Sequence, residues 1–341
     1  MDTVDRVTSR DGTSIAFERV GAGPALILVD AAGNYRDFRP LRAPVERLAA
    51  DFTVYVYDRR GRGASTDTPP YAVEREVEDL DALIAAAGGS AFVSAMSSGC
   101  LLALHAAAAG GLAIPRLALF EPPIEPRETP SGETAFTREL AELVAAGRRR
   151  DAVEFFHRGI GVPDEIMAQM APPVWAALEA VADTLVYDSV ISDATSLALI
   201  RSVTVPTLVL ASQGSSGDLA AMAATVAEAL PGGAYRSLPG EWHGVPDDVL
   251  APALAEFLRA QRGLRRRPLR SAQRAVWVRS VMLRWRAICL LASPSATRGW
   301  TSRSRSLSWS WGARLLRSFA VATWDGTVVS RTRSAPQYST P

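Results

Sequence analysis

A serine set among small residues, in Ala95-Met96-Ser97-Ser98-Gly99, is the clearest candidate for chemistry in this chain. A short apolar run, Ala91 to Ser94, leads into it, and a small-residue helical stretch, Cys100 to Ala109, follows. A sharp strand-to-helix turn of this kind strains the backbone and lifts the central side chain above a sheet. It therefore needs small residues two positions before and two after the nucleophile. Ala95 and Gly99 meet that need, so Ser97 is expected to attack a carbonyl carbon. The start of the following helix would aim the Ser98 backbone N–H at a developing oxyanion. Ser97 or Ser98 could instead serve as a plain helix cap, which the preceding strand argues against. The chain has three histidines. His105 lies inside an apolar helix and His157 in a helical stretch, where a structural role is the expectation, whereas His243 sits in a loop, Glu241-Trp242-His243-Gly244, ahead of a final helix.

The elements that must position these residues follow from periodicity. Alternation over Val4 to Val20, broken at Asp11-Gly12, predicts an antiparallel hairpin. Strand-like runs at Ala25 to Val29, Thr53 to Tyr57, Ala91 to Ser94, Leu117 to Phe120, Thr207 to Ala211 and Ala234 to Leu238 then alternate with helical stretches. Those stretches are Pro40 to Ala50, Val73 to Ala87, Ser98 to Ala109 and Leu219 to Leu230. Alternation of this kind means βαβ units and a mostly parallel sheet. Between Phe120 and Thr207 only helical pieces occur, at Thr137 to Ala146, Asp151 to His157, Asp164 to Met170 and Val174 to Asp183. An insertion after a strand's C-terminal end would cover the edge where parallel sheets bind ligands, so a cap is expected, with Trp175, Met167 and Met170 packing inside it.

Composition bounds the partners. Up to Ala260 there are 21 Arg against 35 acidic residues, and beyond it 16 Arg against the single Asp325, so a net charge of +1 hides two opposite parts. Six of the eight Trp also fall after Gln261. The Arg- and Trp-bearing stretch Ala275 to Leu291 could form a basic arm, but the abrupt change of composition favours a non-native or disordered extension, and a nucleic-acid partner is not expected. Two cysteines, Cys100 and Cys289, exclude a disulfide framework or a cysteine metal cluster and fit a reducing cytoplasm. Asp2 and Asp5 near the start do not suit a secretion signal, and the apolar run Leu101 to Leu112 is too short to span a bilayer.

With the elbow at Ser97, the Gly-rich loop Asp58-Arg59-Arg60-Gly61-Arg62-Gly63-Ala64-Ser65, the stretch Phe120-Glu121-Pro122-Pro123 and the loop at His243, the chain resembles the α/β-hydrolase superfamily over about residues 1 to 260. The resemblance implies an α/β fold with a mostly parallel central sheet, helices on both faces and a helical cap. It divides the chain into a core at 1–121 and 201–260, a cap at 122–200 and an extension at 261–341. It makes His243 the base for Ser97 and places a second oxyanion donor at Ala31 or Ala32. There Asp30-Ala31-Ala32-Gly33 replaces the commoner His-Gly start and brings in a negative charge. The turn after Thr207 to Ala211, Ser212 to Gly217, lacks the usual carboxylate. Glu121 after the sixth strand is preferred as the orienting acid, with Asp218 as the alternative. Arg59, Arg60 and Arg62 are expected to be held by Asp58 and the neighbouring turn rather than to bind an anionic substrate. The implied activity is that of a serine hydrolase acting on an ester, thioester or related carbonyl bond of a small to medium, hydrophobic substrate. It would proceed through an acyl-enzyme, without cofactor or metal. A non-hydrolytic binding protein or a lyase-like relative is the alternative. The oligomeric state is left open.

Overall fold

Strands that are apolar on both sides require a sheet covered on both faces. The computed structural model, which describes residues 4–38, 42–162 and 164–260, has that architecture. Its strands are β1 (Asp5–Thr8), β2 (Ser14–Val20), β3 (Ala25–Val29), β4 (Thr53–Tyr57), β5 (Phe92–Met96), β6 (Leu117–Phe120), β7 (Thr207–Ser212) and β8 (Gly233–Leu238). They form a single sheet in the order β1-β2-β4-β3-β5-β6-β7-β8. The pairs β1–β2 and β2–β4 are antiparallel, and every pair from β4 through β8 is parallel. The chain leaves β3 for β4 on one side and returns through β5 on the other. This reversal brings the loops after β3 and β5 side by side, in register at Val29 and Ala95. In parallel sheets a crevice for ligand opens at such a switch point.

The core helices are α1 (Arg42–Leu48), α2 (Val73–Ala86), α3 (Ser98–Ala108), α10 (Gly217–Ala229) and α11 (Asp247–Arg259). Successive side chains along a strand point to opposite faces, and the core follows this period of two. Ile27, Tyr55, Val93, Leu119 and Val209 pack toward α2, α3 and α10. Their neighbours Leu26, Val54, Phe92, Ala118 and Leu208 join the layer under α1 and α11. Helix α3 is apolar around nearly its whole circumference and lies largely buried against β5. Gly99 permits this, because a Cβ there would stand 2.6 Å from the carbonyl oxygens of both Val29 and Asp30.

Among the described residues, six helices separate β6 from β7: α4 (Ala135–Ala145), α5 (Arg149–Gly159), α6 (Asp164–Ala168), α7 (Pro172–Ala180), α8 (Asp183–Ala194) and α9 (Leu197–Ser202). The sequence pattern anticipates the first four. It misses α9 and nearly all of α8, whose buried face mixes Thr184, Asp188, Ser189 and Asp193 with Leu185 and Ile191 and so lacks an apolar stripe. Leu140, Val153, Phe156, Met167, Trp175 and Leu185 form a separate core for this segment, with Met170 packed against it. The extension at 261–341, including the stretch Ala275 to Leu291, lies outside the described residues.

His105, on α3, meets the Thr195 hydroxyl at 3.1 Å, and that hydroxyl in turn donates to the Ile191 carbonyl. Burial pushes its imidazole down to about 4, against a small opposing pull from Glu74. The folded pKa lies below the unfolded one, so the folded state carries the neutral ring. The stability it contributes is complete above about pH 6.5 and is lost as the pH falls toward 4, by up to about 3 kcal/mol. Urea titrations at stepped pH should show a His105→Gln variant losing less stability than the parent across this window. Parallel curves would sink the assignment.

Candidate active site

Among the described residues, the non-glycine residues with positive φ are Ser97 (52°), Glu121 (49°) and His243 (50°). The left-handed region is costly for residues with a side chain and persists only where the surroundings enforce it. Each of the three stands at or just beyond the C-terminal end of β5, β6 or β8. Ser97 follows β5 directly and is the N-cap residue of α3, yet its hydroxyl makes no capping bond and remains available. Its amide donates to the Phe120 carbonyl at 2.9 Å, and the Glu121 amide donates to the Leu210 carbonyl at 2.9 Å, so the ladder itself forces the turns.

Glu121 is fully buried, and each of its carboxylate oxygens has a partner. Oε1 accepts from the Ser212 amide at 2.7 Å and Oε2 faces His243 Nδ1 at 2.6 Å. A carboxylate at Nδ1 keeps the proton on that nitrogen and leaves Nε2 as the basic one. The histidine loop is held from the β7 turn. The Ser215 hydroxyl accepts from the His243 amide at 2.9 Å, and the Ser212 hydroxyl donates to the Glu241 carbonyl at 2.6 Å. The structure thus brings His243 and Glu121 together. Asp218 lies exposed in the first turn of α10. Sequence reasoning passed over Ser212 and Ser215. The available signal was a turn that carries hydroxyls in place of a carboxylate beside a strand ending in Glu.

The loop after β3 is fixed from outside the strand. The Asn34 amide donates to the Ala31 carbonyl at 3.3 Å, Gly33 takes φ 73°, and a Cβ there would stand 3.2 Å from the Leu178 side chain of α7 and 3.9 Å from that of Leu185 of α8. Ala32 and Phe38 pack on the helical segment's core, which therefore sits directly on this loop. Asp30 is buried, and its charge is felt by the equally buried Arg62.

The arginines of the Gly-rich loop are held in buried ion pairs, but Asp58 is not their partner. Arg59 binds Glu76 with two nitrogens at 2.8 Å and Asp188 at 2.7 Å, Arg60 binds Asp79 and Asp11, and Arg62 reaches Asp188 at 2.6 Å. Asp58 instead binds the amide and guanidinium of Arg36. The partners lie on α2, on α8 and, for Asp11, in the turn between β1 and β2, which only the folded chain brings to this loop. Beside His243 a cavity of about 220 Å³ is lined mainly by apolar side chains, including Leu28, Met96, Phe120, Val245 and Leu250.

The chain matches the Alpha/beta hydrolase family over residues 26–253. It is 47% identical to an alpha/beta hydrolase of known structure from Sphaerobacter thermophilus, with a TM-score of 0.67 over 74% of this chain and 99% of that one. It also shares its fold with an esterase from Thermogutta terrifontis, at 21% identity and TM-score 0.59 over 75% of this chain and 98% of that one. An enol-lactonase from Burkholderia xenovorans aligns at 20% identity and TM-score 0.56 over 74% and 98%. The chain belongs to the alpha/beta hydrolase family, and with it to a family of hydrolytic enzymes. No helix among the described residues is long and apolar enough to cross a membrane.

Proposed function

We propose that the protein is a serine hydrolase that cleaves an ester, thioester or related carbonyl bond through an acyl-enzyme on Ser97. His243 takes the Ser97 proton through Nε2 and returns it to the leaving group. Glu121 holds the imidazole in that tautomer, and the amides of Ser98 and of Ala31 or Ala32 stabilise the oxyanion. Water then releases the acyl group by the same route. One observation carries the reading: Glu121 and His243 meet at 2.6 Å, and both share with Ser97 a positive φ found at no other non-glycine residue described.

The helical segment at 122–200 acts as a cap. The apolar cap core reaching Ala32 and Phe38 favours a small to medium hydrophobic substrate. The low cysteine content suits a cytoplasmic location.

Incubation of the full chain with a fluorophosphonate probe, followed by peptide mass spectrometry, should place the adduct on Ser97. A folded protein that takes no label, or takes it elsewhere, would overturn the proposal in favour of a binding or lyase-like relative.

A further inference from the structure

Arg62 is almost wholly buried and spends its guanidinium on two different parts of the molecule. Nε donates to the Thr184 hydroxyl at 3.1 Å and Nη2 to Asp188 Oδ2 at 2.6 Å, both on α8 of the helical segment. Nη1 donates to the Ala31 carbonyl at 2.8 Å and to the Asn34 carbonyl at 3.3 Å, both in the loop after β3. A lysine could not span these groups, because its ammonium is a single point while the guanidinium is a rigid fork.

The Ala31 carbonyl belongs to the peptide whose N–H is that of Ala32. In a trans peptide the two point in opposite directions. Holding the carbonyl on Arg62 therefore turns the Ala32 N–H away from the arginine, and the cationic partner polarises the amide so that its N–H donates more strongly. The other end of the connection is equally constrained. Burial alone would push the Asp188 carboxyl up, but Arg59, Arg62 and the nearby Ser98 hydroxyl outweigh it and hold the group charged. That hydroxyl stands close to Asp188 without completing a hydrogen bond. Asp188 thus faces both Ser98 and the arginine that orients Ala32.

We propose that Arg62, anchored by Asp188, is a positioning residue that sets the Ala32 N–H as the second oxyanion donor and makes that donor depend on the seating of α8. The inference rests on the serine-hydrolase reading for its catalytic consequence. The orientation of the Ala31–Ala32 peptide is independent of it.

The test uses the full chain with Arg62→Lys, Arg62→Met and Asp188→Asn, and with Arg60→Lys as a control on the same loop that does not touch Ala31. The Ala32 amide resonance, followed by NMR, should shift in the Arg62 and Asp188 variants and stay in place in the control. With p-nitrophenyl butyrate, kcat should fall about 10- to 100-fold in Arg62→Lys at nearly constant KM, and an alkylboronic acid, which mimics the tetrahedral adduct, should bind correspondingly less tightly. Arg62→Lys keeps the charge, so it reports even where Arg62→Met fails to fold. An unchanged Ala32 resonance, or a kcat per labelled serine equal to the parent's despite a lowered Tm, would overturn the proposal. Absence of ester turnover in the parent would instead count against the hydrolase reading, while the Ala32 resonance would still decide this one.

Discussion

Ser97→Ala should lose essentially all ester turnover, a fall in kcat of about 10³- to 10⁶-fold, with the fold intact. The hydroxyl forms the acyl bond in the proposed reaction, so its removal leaves only the oxyanion donors and substrate binding to act on water. The hydroxyl makes no capping bond to α3, so little native interaction goes with it. The strain at this position, φ 52° and ψ −128°, belongs to the backbone and remains in the alanine variant. It is relieved only in Ser97→Gly, which should therefore be equally inactive yet more stable than the parent by about 1 kcal/mol. Turnover of p-nitrophenyl butyrate measured beside thermal unfolding separates the two effects. Residual activity within tenfold of the parent would remove Ser97 from the mechanism.

Glu121→Gln should lower kcat by about 10²- to 10⁴-fold, the upper figure matching the loss when a triad aspartate becomes an amide. The physical reason is local. The Ser212 amide donates to Oε1, so a glutamine must keep its oxygen there and turn its NH₂ toward His243. Nδ1 then has to accept, the ring proton moves to Nε2, and the base proposed for Ser97 is lost. KM should change little, and ¹⁵N NMR of the imidazole should report the exchanged tautomer. Asp218→Asn should leave turnover near the parent value, because Asp218 lies exposed at the start of α10. The opposite pattern, with Asp218→Asn crippling and Glu121→Gln mild, would reverse the choice of acid.

The strained turn at Ser97 was legible because its signals are local: an apolar run, small residues at Ala95 and Gly99, and a small-residue helix. The demand on Gly99 has a further source, the Val29 and Asp30 carbonyls against it, which no spacing rule contains. The hairpin at Asp11-Gly12, the parallel alternation and four of the six inserted helices were equally readable, since periods of 2 and 3.6 are properties of neighbours along the chain. Helix α8 was not, because its buried polar face is satisfied by a distant loop rather than by apolar packing.

What the sequence by itself determined, then, is the order of the core elements, the family resemblance and the candidates Ser97, His243, Glu121, Ser98 and Ala31 or Ala32. Tertiary structure alone decided which carboxylate meets the imidazole, and that Arg59 and Arg62 answer to Asp188 rather than to Asp58. Glu121 and His243 are 122 residues apart, and Arg62 and Asp188 are 126 apart. At such separations pairing depends on which strands the sheet sets side by side and where α8 rests, and local propensity carries no record of either.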